Sequence, residues 1–303
     1  MCVLFGKSKQ AYFKSNDNAT LHRLARETFA IQYIKDVRKK DPGIGGLKLW
    51  HMYKRDLGEN NTLGRDKFYD IIDANGFKLR DRLRKPRTTD SSHGLPVFKN
   101  LVKEFIPTKP NQLWVSDITY ITICPSDEKY YFCYLSLILD SYTEEIVGWS
   151  LGPSLSTQYP VEALRMALSR IKDQHVSLIH HSDRGCQYAS KEYVSLLTTN
   201  DVKISMTENG DPKENAKAER INNTMKNELL RGKTFHNIDE AREAIRMAID
   251  FYNNERPPHM SIGMLTPSEA ATREGELPSC WVSKKEEYIK KLQEKNGTSL
   301  DNY

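Results

Sequence analysis

The sequence predicts an α/β protein with a mixed sheet, preceded by a small all-helical, basic segment. Near residue 113 the apolar pattern changes from helical spacing to runs of β-branched and aromatic residues. The first such runs are separated by turns too short for anything but antiparallel neighbours. Beyond them, helical and strand-like segments alternate, as in layered α/β folds. The 303 residues suit two or three domains of ~100–200 residues each. The expected divisions are 1–83 (helical, nucleic-acid binding), 84–111 (basic linker), 112–272 (α/β core) and 273–303 (charged helix and tail).

In the front segment, residues 19–40 place Leu21, Leu24, Phe29, Ile31, Ile34 and Val37 mostly three to five apart, as one helical face requires. Asp41-Pro-Gly43 and Gly45-Gly46 end it. Residues 47–57 and 65–74 are two further short helices. Together with their positive charge they are the raw material of a helix-turn-helix or winged-helix module. Residues 78–87 form the densest cationic stretch, with Arg80, Arg82, Arg84, Lys85 and Arg87 placed to follow a phosphate backbone.

In the back segment, residues 113–123, 130–140 and 145–151 are strands linked by turns at 124–127 and 140–143. A helix over 161–171, a strand over 176–180, a helix over 191–198 and a strand over 202–206 follow. Helices over 214–230 and 238–253 complete this part. Residues 284–292 form a last charged helix.

The net charge of +5 hides an asymmetry: residues 1–110 hold 23 Lys and Arg against 12 Asp and Glu, and residues 111–303 hold 22 against 28. A basic front on an acidic back points to a polyanionic partner for the front. With 38% hydrophobic and 28% charged residues the chain reads as soluble and globular. Its longest apolar run, residues 130–139, is about half the ~18 residues a membrane span needs. There is no charged-then-apolar leader. The cysteines Cys2, Cys124, Cys133, Cys186 and Cys280 are scattered and fit a reducing compartment, so a cytoplasmic protein is expected.

Three acidic residues stand in unusual places. Asp117 interrupts an otherwise uncharged strand, where a carboxylate is costly without a partner. Asp183 directly follows a strand. Glu219 sits on a helix whose apolar face is Ala218, Ile221, Met225 and Leu229, and Asn222, Asn223 and Lys226 follow it along the flank at ~100° per residue. Carboxylates converging without His or Cys suit Mg²⁺ or Mn²⁺. Two such ions ~3.5–4 Å apart serve in-line displacement at phosphorus.

Asp117, Asp183 and Glu219, with 35 residues between the last two, resemble the Asp-Asp-(35)-Glu signature of retroviral integrases and related transposases. Leu113-Trp-Val-Ser-Asp-Ile-Thr-Tyr120, Ile146-Val-Gly-Trp149, His181-Ser-Asp-Arg-Gly-Cys-Gln-Tyr188, Asn215-Ala-Lys-Ala-Glu219, Phe251-Tyr-Asn-Asn-Glu-Arg-Pro-Pro-His259 and Leu265-Thr-Pro267 resemble the second-frame transposase (OrfB) of the insertion-sequence-three family. The resemblance implies an RNase H-like five-stranded core with Asp117, Asp183 and Glu219 as its metal-binding catalytic triad, holding two Mg²⁺ or Mn²⁺ ions. It implies Lys226 as a DNA contact near the scissile phosphate, and His181, Arg184, Gln187 and Asn215 as substrate contacts or their support.

The implied activity is metal-dependent DNA cleavage and strand transfer. The implied partners are the element's terminal inverted repeats, target DNA, further copies of the chain and an upstream-frame product (OrfA), in the bacterial cytoplasm at the nucleoid. Residues 1–12 resemble the end of a recognition motif, as expected of a downstream-frame product. Glu144 replaces a basic residue usual in the family, Cys186 a serine, and the Arg256-Pro-Pro-His block carries an extra proline. The rival readings are a catalytically inactive DNA-binding regulator and an RNase H-like nuclease with another nucleic-acid substrate.

Overall fold

The computed structural model describes residues 17–58, 62–79, 94–126, 129–171, 177–208, 212–256, 260–280, 287–289 and 291. They belong to two compact units, Met1–Leu83 and Arg84–Tyr303. The cationic residues Arg80, Arg82, Arg84, Lys85 and Arg87 lie outside the described residues, as do residues 1–12, 257–259 and most of 284–292. Among the described residues no helix is long and apolar enough to cross a membrane.

The first unit is three helices, α1 (Asp17–Lys40), α2 (Gly46–Leu57) and α3 (Arg65–Ala74). Its core contains Ala30, Ile34, Leu49, Tyr53, Phe68 and Ile72, with Tyr53 edge-on to Tyr33 and 5.0 Å from Phe68 between ring centroids. The expected apolar face of α1 is only half used, for Leu21, Leu24 and Phe29 are exposed. The reason is length: 24 residues of α1 face partners of 12 and 10, and at ~1.5 Å per residue these cover about half of it.

The second unit is a five-stranded sheet in the order β3-β2-β1-β4-β5. Its strands are β1 (Leu113–Ile123), β2 (Tyr131–Asp140), β3 (Ile146–Gly152), β4 (Ile179–Ser182) and β5 (Lys203–Met206). The first three are antiparallel, and β4 and β5 run parallel to β1. This is the RNase H-like topology. Pleat alternation divides the residues of β1 between two cores. Trp114 joins α4 (Gln158–Leu168) and α5 (Lys191–Thr199) through Val161, Leu164, Tyr193 and Leu197. Leu113, Val115, Ile121 and Ile123 are buried on the other face, where α6 (Ala216–Thr224) and α7 (Ile238–Asn254) pack.

Helix α4 lies directly on the backbone of β3, because Gly148 has no side chain to hold it off. A Cβ there would meet the Ala163 carbonyl oxygen at 2.2 Å. Gly148→Ala is therefore expected to cost about 1–3 kcal/mol through overpacking, measured as a lower denaturant midpoint.

One expectation needs correction here. Residues 94–111 are not a free linker: Val102 is buried, the Leu101 amide donates to Ser205 Oγ at 2.9 Å, and Phe98 packs on the core. Apolar side chains next to the β5 edge make this segment part of the layer. Glu144 is a buried partner of Lys217 at 2.9 Å. It ties the β2–β3 turn to α6. The turn itself is held by Asp140, whose buried carboxylate accepts the amides of Asn111, Tyr142 and Thr143.

Candidate active site

The position of Asp117 beside Asp183 follows from strand register. Ser116 and Ser182 are partners in the parallel β1–β4 pair, so the next residue on each strand is an aspartate. The two backbones are ~4.8 Å apart. The pairing stops there, so Asp117 stands where β1 loses its β4 neighbour.

Each aspartate is oriented by hydrogen bonds. Asp117 Oδ1 accepts from the Ile118 amide and Oδ2 from Asn222 Nδ2, both at 2.9 Å. Asp183 Oδ1 accepts from the Gly185 amide at 2.9 Å. Glu219 comes from α6, one turn before Asn222. The Asp117 carboxyl is pushed up to about 7, first by desolvation and then by the charge of Asp183. Its hydrogen bonds oppose the shift, and Glu219 adds a smaller push in the same direction.

The expected helix over 214–230 is in fact composite. A 3₁₀ turn (Pro212–Asn215) leads into α6, and a π-helical turn (Met225–Leu229) continues it. The wider turn changes the angular relation between Glu219 and Lys226 that a uniform α-helix would impose. Lys226 Nζ lies 3.6 Å from the centroid of the Tyr120 ring. Buried Arg256 pairs with Glu228 within the π turn.

The remaining candidates play different parts. His181 is fully buried, with Nδ1 2.9 Å from Ser205 Oγ and Nε2 3.2 Å from the Glu214 carbonyl. It joins β4, β5 and the approach to α6, so it lies inside the fold and not on an open surface. Asn215 is likewise buried, donating to the Ser116 carbonyl at 3.0 Å, so it stitches the start of α6 to β1. Arg184 Nε donates to the Thr207 carbonyl and Gln187 Nε2 to the Leu155 carbonyl. Both remain partly exposed at the loop after Asp183.

Two residues near the carboxylates are not among those the sequence motifs mark as site residues. Asn222 has a legible signal, standing three residues after Glu219 on the same flank. Buried Tyr188, whose hydroxyl is pushed up chiefly by burial and also by Asp117 and Asp183, ends the His181–Tyr188 motif block, but its proximity to them depends on how the loop after β4 folds back.

As they lie, no three His, Cys, Asp or Glu side chains among the described residues form a metal-ligating group. The donor chemistry nonetheless fits a hard divalent cation. All three groups are carboxylates, and their mutual repulsion at Asp117 is what a cation would relieve.

Residues 107–212 match a family model described as integrase core domain, and residues 200–267 match a second model of that description. The chain is 33% identical to the insertion element IS600 uncharacterized 31 kDa protein of Shigella sonnei, over 90% of this chain and 97% of that one. It is 33% identical to the transposase for insertion sequence element IS629 of the same organism, over 79% and 77%. With transposase InsF for insertion sequence IS3A of Escherichia coli (strain K12) it shares 34% identity over 59% and 60%. Among solved structures, the HTLV-2 integrase catalytic core domain in complex with magnesium (trimeric form) aligns with a TM-score of 0.42 and 20% identity, over 55% of this chain and 99% of that one. Identity of one-third along nearly all of the IS600 protein and most of the IS629 transposase, with integrase core matches over the sheet and its helices, makes this chain a DDE transposase of the IS3 family.

Proposed function

We propose that Asp117, Asp183 and Glu219 are the catalytic carboxylates of this transposase and that they hold two divalent ions, Mg²⁺ or Mn²⁺. The observation that carries this reading is the strand register that sets Asp117 beside Asp183 at the open edge of β1, with Asn222, one turn after Glu219 on α6, donating to the Asp117 carboxyl. Bound ions would supply Lewis-acid stabilisation of the attacking and leaving oxygens.

The residues' own work is placement. Asn222 and the Ile118 amide hold the Asp117 carboxylate, and the Gly185 amide holds that of Asp183. Lys226 offers a cation to a phosphate brought to this edge. In cleavage, a water oxygen attacks phosphorus, the bond to the 3′ oxygen breaks, and that oxygen leaves as a hydroxyl. In strand transfer the 3′ hydroxyl attacks a target phosphorus, loses its proton, and displaces the target's own 3′ oxygen. Both are in-line exchanges at phosphorus, so one site serves both.

The DNA substrates of this reading are the element's terminal inverted repeats and target DNA. Joining two ends calls for more than one copy of the chain, with an OrfA-type product as further partner. Incubating the purified protein with element-end DNA and Mn²⁺ is expected to give nicked and joined products. Cutting of an RNA–DNA hybrid with element ends ignored would transfer the reading to a nuclease, and binding with no reaction would favour the regulator.

The helical unit and residues 78–87 are assigned to DNA binding. Neutralising the basic residues of 78–87 is expected to weaken binding on all sequences and to reduce the salt slope by about 0.9 for each phosphate left without its cation. An unchanged slope in a salt titration removes this assignment.

A further inference from the structure

We infer that Tyr120, Phe132 and Tyr130 form a stacking platform for unpaired bases of the DNA strand whose phosphate occupies the carboxylate site. The inference rests on that site being catalytic. Antiparallel register pairs Tyr120 with Tyr134 and Thr122 with Phe132, so Tyr120 and Phe132 share one sheet face as diagonal neighbours. Their ring centroids are 5.1 Å apart, and Tyr130 extends the row at 5.7 Å from Phe132, both contacts edge-to-face. The row is open to solvent: Tyr130 is 65% and Phe132 41% exposed. Clustered exposed aromatics of this kind mark binding surfaces.

The location selects the occupant. Tyr120 is three residues beyond Asp117, ~10 Å along the strand. Alternation sends the two side chains to opposite faces, but β1 is unpaired on the β4 side beyond Ser116, so both flank one free edge. Lys226 bridges the two sides: its helix supplies Asn222 to Asp117, while its ammonium sits on the Tyr120 ring. A cation beside partly exposed aromatic side chains is the combination that single-stranded nucleic acid uses, with phosphate near the charge and bases on the rings. Paired bases are shielded within a duplex, so the ligand is a strand with its bases unpaired. A second copy of the chain fits less well, because three partly covered aromatics of 150–250 Å² each fall short of the ~800 Å² per partner of a stable interface.

The test uses the whole chain without divalent metal, so that no chemistry intervenes. The probes are a single-stranded oligothymidylate carrying one 2-aminopurine and a fully paired hairpin duplex. With the unmodified protein, 2-aminopurine emission is expected to change on binding as the base stacks. The double variant Tyr130→Ala/Phe132→Ala is expected to bind the single strand about tenfold more weakly, lose the emission change and keep its duplex affinity. Phe132→Trp is expected to retain stacking, and retained thermal unfolding excludes a folding defect. Unchanged single-strand binding in the double variant overturns the proposal, as does an equal loss on both probes. An altered sedimentation coefficient with unaltered emission assigns the patch to protein contacts instead. Asp117→Asn is expected to keep the emission change, so a failure of the catalytic assignment would be seen separately, as strand transfer surviving in that variant.

Discussion

Alanine at Asp117, Asp183 or Glu219 is expected to lower strand transfer by ~10³-fold or more while leaving binding of element-end DNA intact. Metal-assisted neutralisation of transition-state charge is worth several kcal/mol, and about 4 kcal/mol corresponds to a thousandfold in rate. The three losses should not multiply. Removing any one carboxylate dismantles the same site, so a double variant is expected to be little worse than a single one. A gel assay for joined product, read beside a binding isotherm, decides the matter residue by residue. Full strand transfer in one of the variants removes that residue from the site.

A second large effect is expected in the dependence of stability on pH. Asp117 titrates near 7 in the folded chain against an ordinary value of 3.8. Between these values the folded state keeps a proton that the unfolded state has released, so stability falls as pH rises from about 4 to about 7. The loss is complete above 7, with an upper bound of about 4 kcal/mol that solvent on the open side reduces. Asp117→Asn is expected to be the more stable protein at pH 8 and to flatten the difference between pH 5 and pH 8 in denaturant midpoints. Mg²⁺ should raise the melting temperature of the unmodified protein at pH 8. Its affinity should weaken about tenfold per pH unit below 7, because the same carboxylate must lose its proton to bind. An Asp117→Asn protein with the original pH slope would show that another group carries it.

Both effects originate in one detail of strand pairing. A carboxylate in the middle of an apolar strand is legible as an anomaly, and the run of β-branched and aromatic residues around it gives the bounds of β1. Its partner is not legible in the same way. Asp183 lies 66 positions further on, and its nearness depends on β4 pairing with β1 in the register that sets Ser116 against Ser182. The helix bearing Glu219 is legible through its apolar face, whereas neither the π turn after Thr224 nor the long-range ion pair of Arg256 with Glu228 is. The same reason accounts for Glu144. Neighbouring residues do not reveal its buried pairing with Lys217, which makes it part of the turn.

Periodicity, turn chemistry and motif order were therefore enough to set the strand and helix content and the basic front and to single out three candidate carboxylates, since each is a property of residues close along the chain. Packing settled which side chains meet. It placed the two aspartates at one strand edge, withdrew His181 and Asn215 into the interior, and set Lys226 over Tyr120. Such contacts join segments tens of residues apart, and their geometry arises only when a helical layer closes on each face of the sheet.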